Sequence, residues 1–528
     1  MTVVERRTVL KGGVAALAVG GPFAGFLSSA TGATVTAAKR RAGLVAVRDK
    51  RDGQVRLHLP RGFQYRSFHD TEQPVVLPDG TRLPGRHDGM GAFRGSRDSV
   101  LLVRNHEVNG SPGAFGPRAP YDPAAGGGTT TIRTTRHGQV LDAWTSLNGT
   151  MMNCSGGVMP WGSWVTCEET VNGPDVGPDF TGTPNTPLTK PHGYVFEVPA
   201  DPHRHHHHHG RHDHDDRDDE RRGRGGHRGG HGHDEDHEYG APLTAAGRFA
   251  HEAVSFDPRS GALYLTEDNF AFPSGFYRYT PRHNPLRTGR LDNEGRLEML
   301  RVKGVTNAHL EGSHPRGTTF DVDWVPIAEP DFTGDYDAGA TPPTGMTNDQ
   351  ALVHTSSQGW SQGAAYFSRL EGQVCEDGVV FFTSTQGGGA AETVMQDSAT
   401  GWGNGNGQIW AYDTRARTLT LVFESPGPAT LDFPDNITTR DGTLVVCEDG
   451  GDDNYVRALR PDGELVNIAW NQLFVDRDGD PSTPPTDRTD DEFAGSTFSP
   501  DGRTLFVNIQ SSAGLSYAIW GPWHKLGM

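Results

Sequence analysis

The stretch Asp441-Gly442-Thr443-Leu444-Val445-Val446-Cys447-Glu448-Asp449 decides the expected fold, because it is one of six copies of a single pattern. In each copy, a turn that carries Gly or Asp precedes an apolar, β-branched run, which ends in polar or acidic residues. The other copies are residues 98–107, 161–169, 261–268, 377–385 and 501–510. Runs of this length and composition, bounded by turn residues, predict buried β-strands.

Many short strands with recurring glycine and aromatic residues predict an all-β fold, a six-bladed β-propeller with long loop insertions. The propeller would occupy residues 34–528 as a single domain. Each blade would have about 80 residues, against roughly 40–45 in a minimal blade. A β-sandwich with attached hairpins is the main alternative, but it does not explain the repeated unit of strand and acid.

The composition narrows the class of protein. The chain has 528 residues, a formal net charge of -18, 70 glycines and 36 prolines. So much glycine and proline argues against a helical bundle, and 24 Phe, 12 Tyr and 10 Trp supply large side chains for a core. The acidic balance argues against a nucleic-acid partner and favours cations. Four cysteines are too few for a disulfide-built scaffold of this size.

The N-terminus predicts export. Arg6-Arg7 precede a weakly apolar run over residues 12–27, which is typical of a twin-arginine signal peptide over residues 1–33. A membrane anchor is the alternative, but a span needs about 20 predominantly apolar residues. We therefore expect the twin-arginine export machinery as a partner and a secreted, periplasmic or cell-surface location. We expect no stable membrane span in the mature chain.

Residues 201–240 differ abruptly in composition from the rest of the chain. They are nearly all His, Asp, Glu, Arg and Gly, and 12 of the 24 histidines lie between His203 and His237. A segment without apolar periodicity cannot bury a core, so we expect a disordered insertion within the propeller. Its histidines suit a metal scavenger, whereas the alternative, which we favour for the main activity, is a solvated spacer.

Acidic residues end four of the six copies: Glu107, Glu168 with Glu169, Glu267 with Asp268, and Glu448 with Asp449. Equivalent strands of propeller blades end on one face, so these residues would gather around a central channel. Carboxylates that gather in this way raise one another's pKa unless cations neutralise them. Their oxygens suit Ca²⁺. The pattern favours a site for several metal ions over the alternative of ordinary solvated turns.

Other polar residues open the predicted blades. Cys154 lies in a turn before a Trp-rich strand, where its thiolate suits a softer metal such as iron; the alternative is a small buried side chain. Glu252, Glu371 and Asp435 each precede a copy of the strand pattern. Arg369 would be either a neutralising partner for these acids or a clamp for a phosphate group.

Taken together, these segments resemble the PhoX family of secreted alkaline phosphatases. The similar segments are Arg104-Asn105-His106-Glu107, Asn153-Cys154, Pro160-Trp161-Gly162, Cys167-Glu168-Glu169, His251-Glu252, Arg369-Leu370-Glu371-Gly372, Pro434-Asp435-Asn436, Cys447-Glu448-Asp449, Glu492-Phe493-Ala494-Gly495 and Phe498-Ser499-Pro500-Asp501-Gly502. The resemblance covers nearly the whole chain outside the signal peptide and the insertion. The chain is similar to a shorter branch, with Leu370 where the best-known members carry Pro.

The resemblance implies hydrolysis of phosphate monoesters at a cluster of Fe³⁺ and Ca²⁺ in the propeller channel. It implies metal ligands at Cys154, Glu168, Glu169, Glu252, Glu371, Asp435, Glu448 and Asp449, with Glu168 and Glu169, and Glu448 and Asp449, as alternatives within each pair. It implies catalytic roles for Arg369 and Glu371, and substrate binding by Arg369, Asn105 and His106. Glu107, Glu267, Asp268 and Glu492 are further candidates.

Two other functions stay open at this point. One is a non-catalytic, calcium-binding secreted propeller, which would hold cations without turnover. The other is a calcium-dependent hydrolase of the lactonase or phytase type, which would leave the thiol of Cys154 without a role. Substrate profiling and the presence of iron separate these alternatives from a phosphatase.

Overall fold

The computed structural model describes residues 26, 41, 43–201, 240–392, 401–476 and 483–528. The predicted signal peptide, apart from Phe26, lies outside the described residues, and so does the predicted insertion, apart from its two end residues. The described helices are short, and none reaches the length and apolarity that a membrane crossing requires.

Strands dominate the described part of the chain. They are β1 (Leu44–Val47), β2 (Leu57–Pro60), β3 (Gln64–Phe68), β4 (His87–Arg94), β5 (Val100–His106), β6 (Gly127–Thr134), β7 (Val140–Thr150), β8 (Asn153–Val158), β9 (Ser163–Glu168), β10 (Val195–Pro199), β11 (His251–Asp257), β12 (Ala262–Glu267), β13 (Phe276–Pro281) and β14 (Gly295–Val302). They continue as β15 (Thr319–Pro326), β16 (Leu370–Glu376), β17 (Val379–Ser384), β18 (Gln408–Asp413), β19 (Thr418–Glu424), β20 (Pro434–Arg440), β21 (Thr443–Glu448), β22 (Tyr455–Leu459), β23 (Leu465–Asn471), β24 (Phe474–Val475), β25 (Thr486–Asp487), β26 (Phe493–Phe498), β27 (Thr504–Ile509) and β28 (Leu515–Trp520). The helices are α1 (Pro285–Thr288), α2 (Asn348–Leu352) and α3 (His354–Trp360), with 3-10 turns at Thr244–Ala246 and Trp523–Leu526.

The strands form antiparallel sheets that follow the chain. One sheet has the order β4-β5-β6-β7, and the next has β10-β9-β8. A nine-stranded sheet joins β11-β12-β13-β14 to β19-β18-β17-β16 through β15. A further sheet runs β20-β21-β22-β23-β2-β1, and β26-β27-β28 is completed by the N-terminal β3. Pairing of β3 with β28 ties the two ends of the described chain together.

Six strands form the innermost layer. β4, β8, β11, β16, β20 and β26 pack against one another in that order, and β26 packs in turn against β4. Each is followed along the chain by the strand that carries one copy of the sequence pattern: β5, β9, β12, β17, β21 or β27. The fold is therefore all-β and propeller-like, as the sequence predicts.

Tight turns hold several of these hairpins in register. Asp377 and Gly378 both have positive φ (52° and 81°), as do Asp441 and Gly442 (46° and 83°). Each pair is the two-residue loop between an inner strand and the next, since Glu376 pairs with Val379 and Arg440 with Thr443. Two consecutive positive φ angles define the type I′ turn, which matches the twist of a hairpin.

The apolar runs are continuous because the sheets are buried on both faces. In β21, Leu444 and Val446 pack into one hydrophobic cluster, and Val445 and Cys447 pack into another. The first cluster includes residues of β17 and β18, and the second includes residues of β27 and β28. Alternate side chains of one strand thus contact two different neighbouring sheets, which fixes the strand ends around the central channel.

Candidate metal centre

All six inner strands begin in a similar way. The first residue of each strand pairs with the last residue of the next strand, and the pairing register shifts directly afterwards, or one residue later in β26. The second residue of each strand is Asp88, Cys154, Glu252, Glu371, Asp435 or Ala494. A β-bulge turns a side chain away from the regular alternation and is common beside active sites. Five of the six positions thus carry a carboxyl or thiol group.

A second set of residues follows the partner strands. Its members are Glu107, Glu169, Asp268, Thr385, Asp449 and Gln510, and the backbone N–H of each donates to the residue just before an inner strand, at 2.9–3.2 Å. Four of those six acceptor residues have positive φ angles: Arg86 (48°), Met152 (48°), Arg369 (38°) and Phe433 (46°). This left-handed backbone is strained for a residue with a side chain, and such strain is frequent at functional sites.

These positions bring nine carboxyl groups together, which we call the acid cluster. Its members are Asp88, Glu107, Glu169, Glu252, Asp268, Glu371, Asp435, Asp449 and Glu492. Burial, added to the repulsion of neighbouring carboxylates, raises the pKa of Glu252 and Glu371 well above the usual range. The same causes raise the pKa of Asp435 to about 7. Buried carboxyl groups at this density resist full ionisation unless cations neutralise them.

Two arginines offset part of this charge. Arg86 Nε donates to Glu107 Oε2 at 2.8 Å. Arg369 Nη2 donates to Asp268 Oδ2 at 2.8 Å and lies 3.0 Å from Glu371 Oε1. The Arg369 side chain is 20 % exposed, so it sits at the solvent side of the acid cluster. Two guanidinium groups cannot neutralise nine carboxylates.

Two groups of donor atoms are spaced for metal ions. The ligand atoms of Cys154, Glu169 and Glu252 lie within 4.8 Å of one another, and so do those of Glu252, Glu371 and Asp435. Burial, with Glu252 and Glu169 nearby, raises the pKa of the Cys154 thiol well above its usual range. A thiolate with two carboxylates fits iron, and three carboxylates fit calcium. The donor set therefore fits the cations that the sequence predicts.

The structure separates the two members of each predicted acidic pair. Glu169, Asp268 and Asp449 belong to the acid cluster. Their chain neighbours instead bond within the sheets: Glu168 accepts from His192 Nδ1 at 2.6 Å and from Gly193 N at 2.8 Å, Glu267 accepts from Tyr277 at 2.9 Å, and Glu448 accepts from Arg457 Nε at 2.6 Å. Glu168, Glu267 and Glu448 lie outside the acid cluster.

Asn105 and His106 also lie inside the protein rather than among the acids. The Asn105 side chain donates to the backbone carbonyls of Cys154 and Ser155, at 2.9 and 2.7 Å, and accepts from Trp164 Nε1. His106 Nδ1 donates to Gly85 O at 3.0 Å. Both side chains are fully buried. The contacts of Asn105 hold the strand that carries Cys154.

Asp88 and Arg86 belong to the site but are missing from the sequence prediction. Gln510 Nε2 donates to Asp88 Oδ2 at 2.7 Å, and Arg86 also donates to Gln510. A signal exists for both residues, because Arg86-His87-Asp88-Gly89 repeats the order arginine, any residue, acid, glycine of Arg369-Leu370-Glu371-Gly372. The other candidates, Glu107 and Glu492, lie in the acid cluster.

Comparisons with known proteins identify the family of this chain. The family model described as alkaline phosphatase PhoX matches residues 43–142, 121–216 and 232–513. The fold is similar to that of Pseudomonas fluorescens PhoX in complex with vanadate, a transition state analogue, with a TM-score of 0.58 and 16 % identity over 92 % of this chain and 97 % of that chain.

A gluconolactonase, XC5397 from Xanthomonas campestris, superimposes with a TM-score of only 0.28 and 13 % identity, over 84 % of this chain and 99 % of that chain. That superposition is too weak to support an argument. A comparison with curated protein sequences gives no match.

The PhoX family model spans most of the chain, and this match confirms the resemblance that the sequence motifs indicate. This protein belongs to the PhoX family of alkaline phosphatases, and it is a phosphoric monoester hydrolase.

Proposed function

We propose that this protein is an exported alkaline phosphatase that hydrolyses phosphate monoesters at an iron and calcium cluster in the channel of a six-bladed propeller. The observation that carries this proposal is the acid cluster itself. Nine buried or half-buried carboxyl groups and one thiol converge there, and among the described residues two arginines, Arg86 and Arg369, oppose them. A dianionic phosphate ester would be repelled from such a site unless bound cations outweigh the acids.

The donor atoms divide between the two kinds of metal. Cys154, Glu169 and Glu252 would hold iron, because the soft sulfur selects iron over calcium. Glu252, Glu371 and Asp435 would hold calcium through oxygen. Glu252 belongs to both groups and would join the two metals. When bound, the metal ions supply positive charge that offsets the carboxylates and polarises phosphoryl oxygens.

Arg369 would bind the substrate phosphoryl group. Its guanidinium is fixed by Asp268 and Glu371 and lies 5.9 Å from the ring centroid of Phe270. A guanidinium group has five N–H donors, and the contacts with Asp268 and Glu371 use Nε and Nη2. The N–H groups of Nη1 could therefore donate to phosphoryl oxygens. Donors fixed before the reaction stabilise the charge of the transition state without reorganisation.

The number of blades and the export route extend this proposal. The six inner strands, each with a register shift near its start, support six blades, two of which are joined by β15. Arg6-Arg7 supports export by the twin-arginine route. Replacing both arginines by lysine should retain the protein in the cytoplasm, which fractionation detects; unchanged export would refute this route.

Hydrolysis of p-nitrophenyl phosphate tests the proposed function. The full chain, folded with iron present, would be assayed at alkaline pH as purified, after calcium chelation, and after calcium is restored. We expect activity, its loss, and its recovery, with magnesium as a control that does not restore it. If folded protein that contains both metals shows no turnover of any phosphate monoester, the proposal is wrong.

A further inference from the structure

One buried arginine, Arg104, differs from two others in having no acidic partner within the described part of the chain. Among the described residues, Arg104, Arg248 and Arg457 are 0 % exposed. Arg248 Nη1 donates to Asp175 at 2.7 Å, and Arg457 Nε donates to Glu448 at 2.6 Å. Within the described part of the chain, no carboxylate lies within 4.0 Å of the Arg104 guanidinium. A buried charge without a counterion is strongly destabilising.

The contacts of Arg104 are all neutral. Its Nη1 donates to Ser516 Oγ at 2.8 Å, and its Nη2 donates to His69 Nδ1 at 3.3 Å. Its Nε is buried and has no acceptor among the described residues. These two bonds satisfy part of the hydrogen-bonding capacity but contribute no negative charge.

A second unsatisfied side chain lies beside it. His87 is 0 % exposed, and neither of its ring nitrogens has a well-aligned hydrogen-bond partner among the described residues, although the backbone of Pro84 lies nearby. Its ring centroid lies 5.3 Å from that of His106, which pairs with it across β4 and β5. Burial, with the charge of Arg104, lowers the pKa of His87 well below its usual range. Even a neutral imidazole carries one N–H that needs an acceptor.

We propose that Arg104 and His87 form a buried site for a small monovalent inorganic anion of the chloride class. One such ion neutralises the single charge of Arg104 and accepts the N–H groups that lack partners. A water molecule would accept these hydrogen bonds but leave the charge uncompensated. The site lies between the sheet of β4–β7 and the sheet of β26–β28, because Ser516 and Gly514 contact Arg104 and His87.

His69 provides the route to solvent. It contacts Arg104 on one side and lines a cleft of about 550 Å³ on the other, together with Arg51 and Arg66. The cleft carries charges of both signs, because Asp52, Asp70, Glu72 and Asp476 line it beside its arginines. It gives access to solvent, and the charge of Arg104 is what would select an anion. The bound ion would stabilise the contact between the sheet of β4–β7 and the sheet of β26–β28.

Thermal unfolding in matched salts tests this site. The full chain would be purified in sodium gluconate and unfolded with increasing chloride at constant ionic strength. Because an ion that binds only the folded state stabilises it, we expect the Tm to rise and then saturate. The variant Arg104→Met should lose this response, and the matched control Arg457→Met, whose arginine has a carboxylate partner, should keep it.

Bromide-soaked crystals of the wild-type protein give a second test that needs no variant. We expect an anomalous peak between Arg104 and His87. Equal Tm values in chloride and gluconate, or density for a water molecule alone at this position, would overturn the proposal. Neither measurement depends on phosphatase activity, so it can fail while the proposed function stands.

Discussion

Glu168 and Glu169 are adjacent in the chain, yet they belong to two chemically different regions. Glu168 is fully buried and accepts hydrogen bonds from Met151 N, His192 Nδ1 and Gly193 N. Glu169 lies in the acid cluster, where burial and Asp268 raise its pKa well above the usual range. The carboxylate of Glu168 is held by hydrogen bonds within the fold, whereas that of Glu169 faces other carboxylates and is available to bind a cation.

The same division recurs at Glu267 with Asp268 and at Glu448 with Asp449. In each pair the first residue ends a strand and bonds within the sheets, and the second residue turns into the channel. The comparison teaches that function at this site depends on which carboxylates the fold turns towards one another and which it bonds within the sheets. Substitutions that keep size and shape can separate the two regions.

The largest effect is expected for Glu252→Gln, because this residue belongs to both groups of metal donors. We expect loss of iron and calcium and a fall in kcat of about 1,000-fold, which corresponds to several kcal/mol of lost charge stabilisation. Elemental analysis and p-nitrophenyl phosphate hydrolysis measure both. Full metal content with wild-type turnover would remove Glu252 from the site.

The matched variant Glu168→Gln should behave in the opposite way. Its neutral amide loses the charged hydrogen bonds with His192 and the backbone, so we expect about 3 kcal/mol lower stability in urea unfolding. Metal content per folded molecule should stay near the wild-type value. Metal loss without destabilisation would contradict the division between the two regions.

For Arg369→Met we expect the metals to stay and turnover to fall by about 100- to 1,000-fold, because one fixed donor set for the phosphoryl group is lost. The measurement is kcat with elemental analysis of the same sample. Unchanged kcat would show that Arg369 only neutralises Asp268 and Glu371.

The acid cluster also predicts how stability depends on pH when the metals are removed. Folding raises the pKa of Asp435 from 3.8 to about 7, so the folded state binds protons more tightly than the unfolded state. The stability that this provides is present at low pH and is lost as the pH rises from about 4 through 7. Calorimetry of the chelated protein should show a falling Tm over this range, and metal reloading should abolish the fall. A flat profile in the chelated protein would contradict this electrostatic description.

The smallest effect is expected for Glu267→Gln. Burial raises the pKa of Glu267 to about 8, so this carboxyl group is mostly protonated at pH 7 and an amide is a close replacement. We expect a change of about 1 kcal/mol or less in the free energy of unfolding at pH 7, with wild-type kcat. A large loss of metal in this variant would place Glu267 in the metal centre after all.

Much of this arrangement is predictable from sequence, for identifiable reasons. The six strands follow from their apolar runs and turn residues, and the acids follow from their repeated position after those strands. The composition does not predict which residue of each acidic pair joins the acid cluster. The alternation of side chains along the strand and the shifts in pairing register determine this. Asp88 holds the same position in β4 as Glu371 holds in β16, and in the sequence only the shared order of arginine, any residue, acid and glycine marks it. Asn105 is predicted as a substrate-binding residue, but its amide donates to the backbone of Cys154 and Ser155.

Metal analysis of the purified full chain tests the central claim most directly. Iron and calcium would be measured by mass spectrometry in the wild-type protein, in Glu252→Gln and in Glu168→Gln. We predict both metals in the wild type and in folded Glu168→Gln, and their loss together with phosphatase activity in Glu252→Gln. A wild-type protein that hydrolyses phosphate monoesters while it contains neither metal would contradict the account.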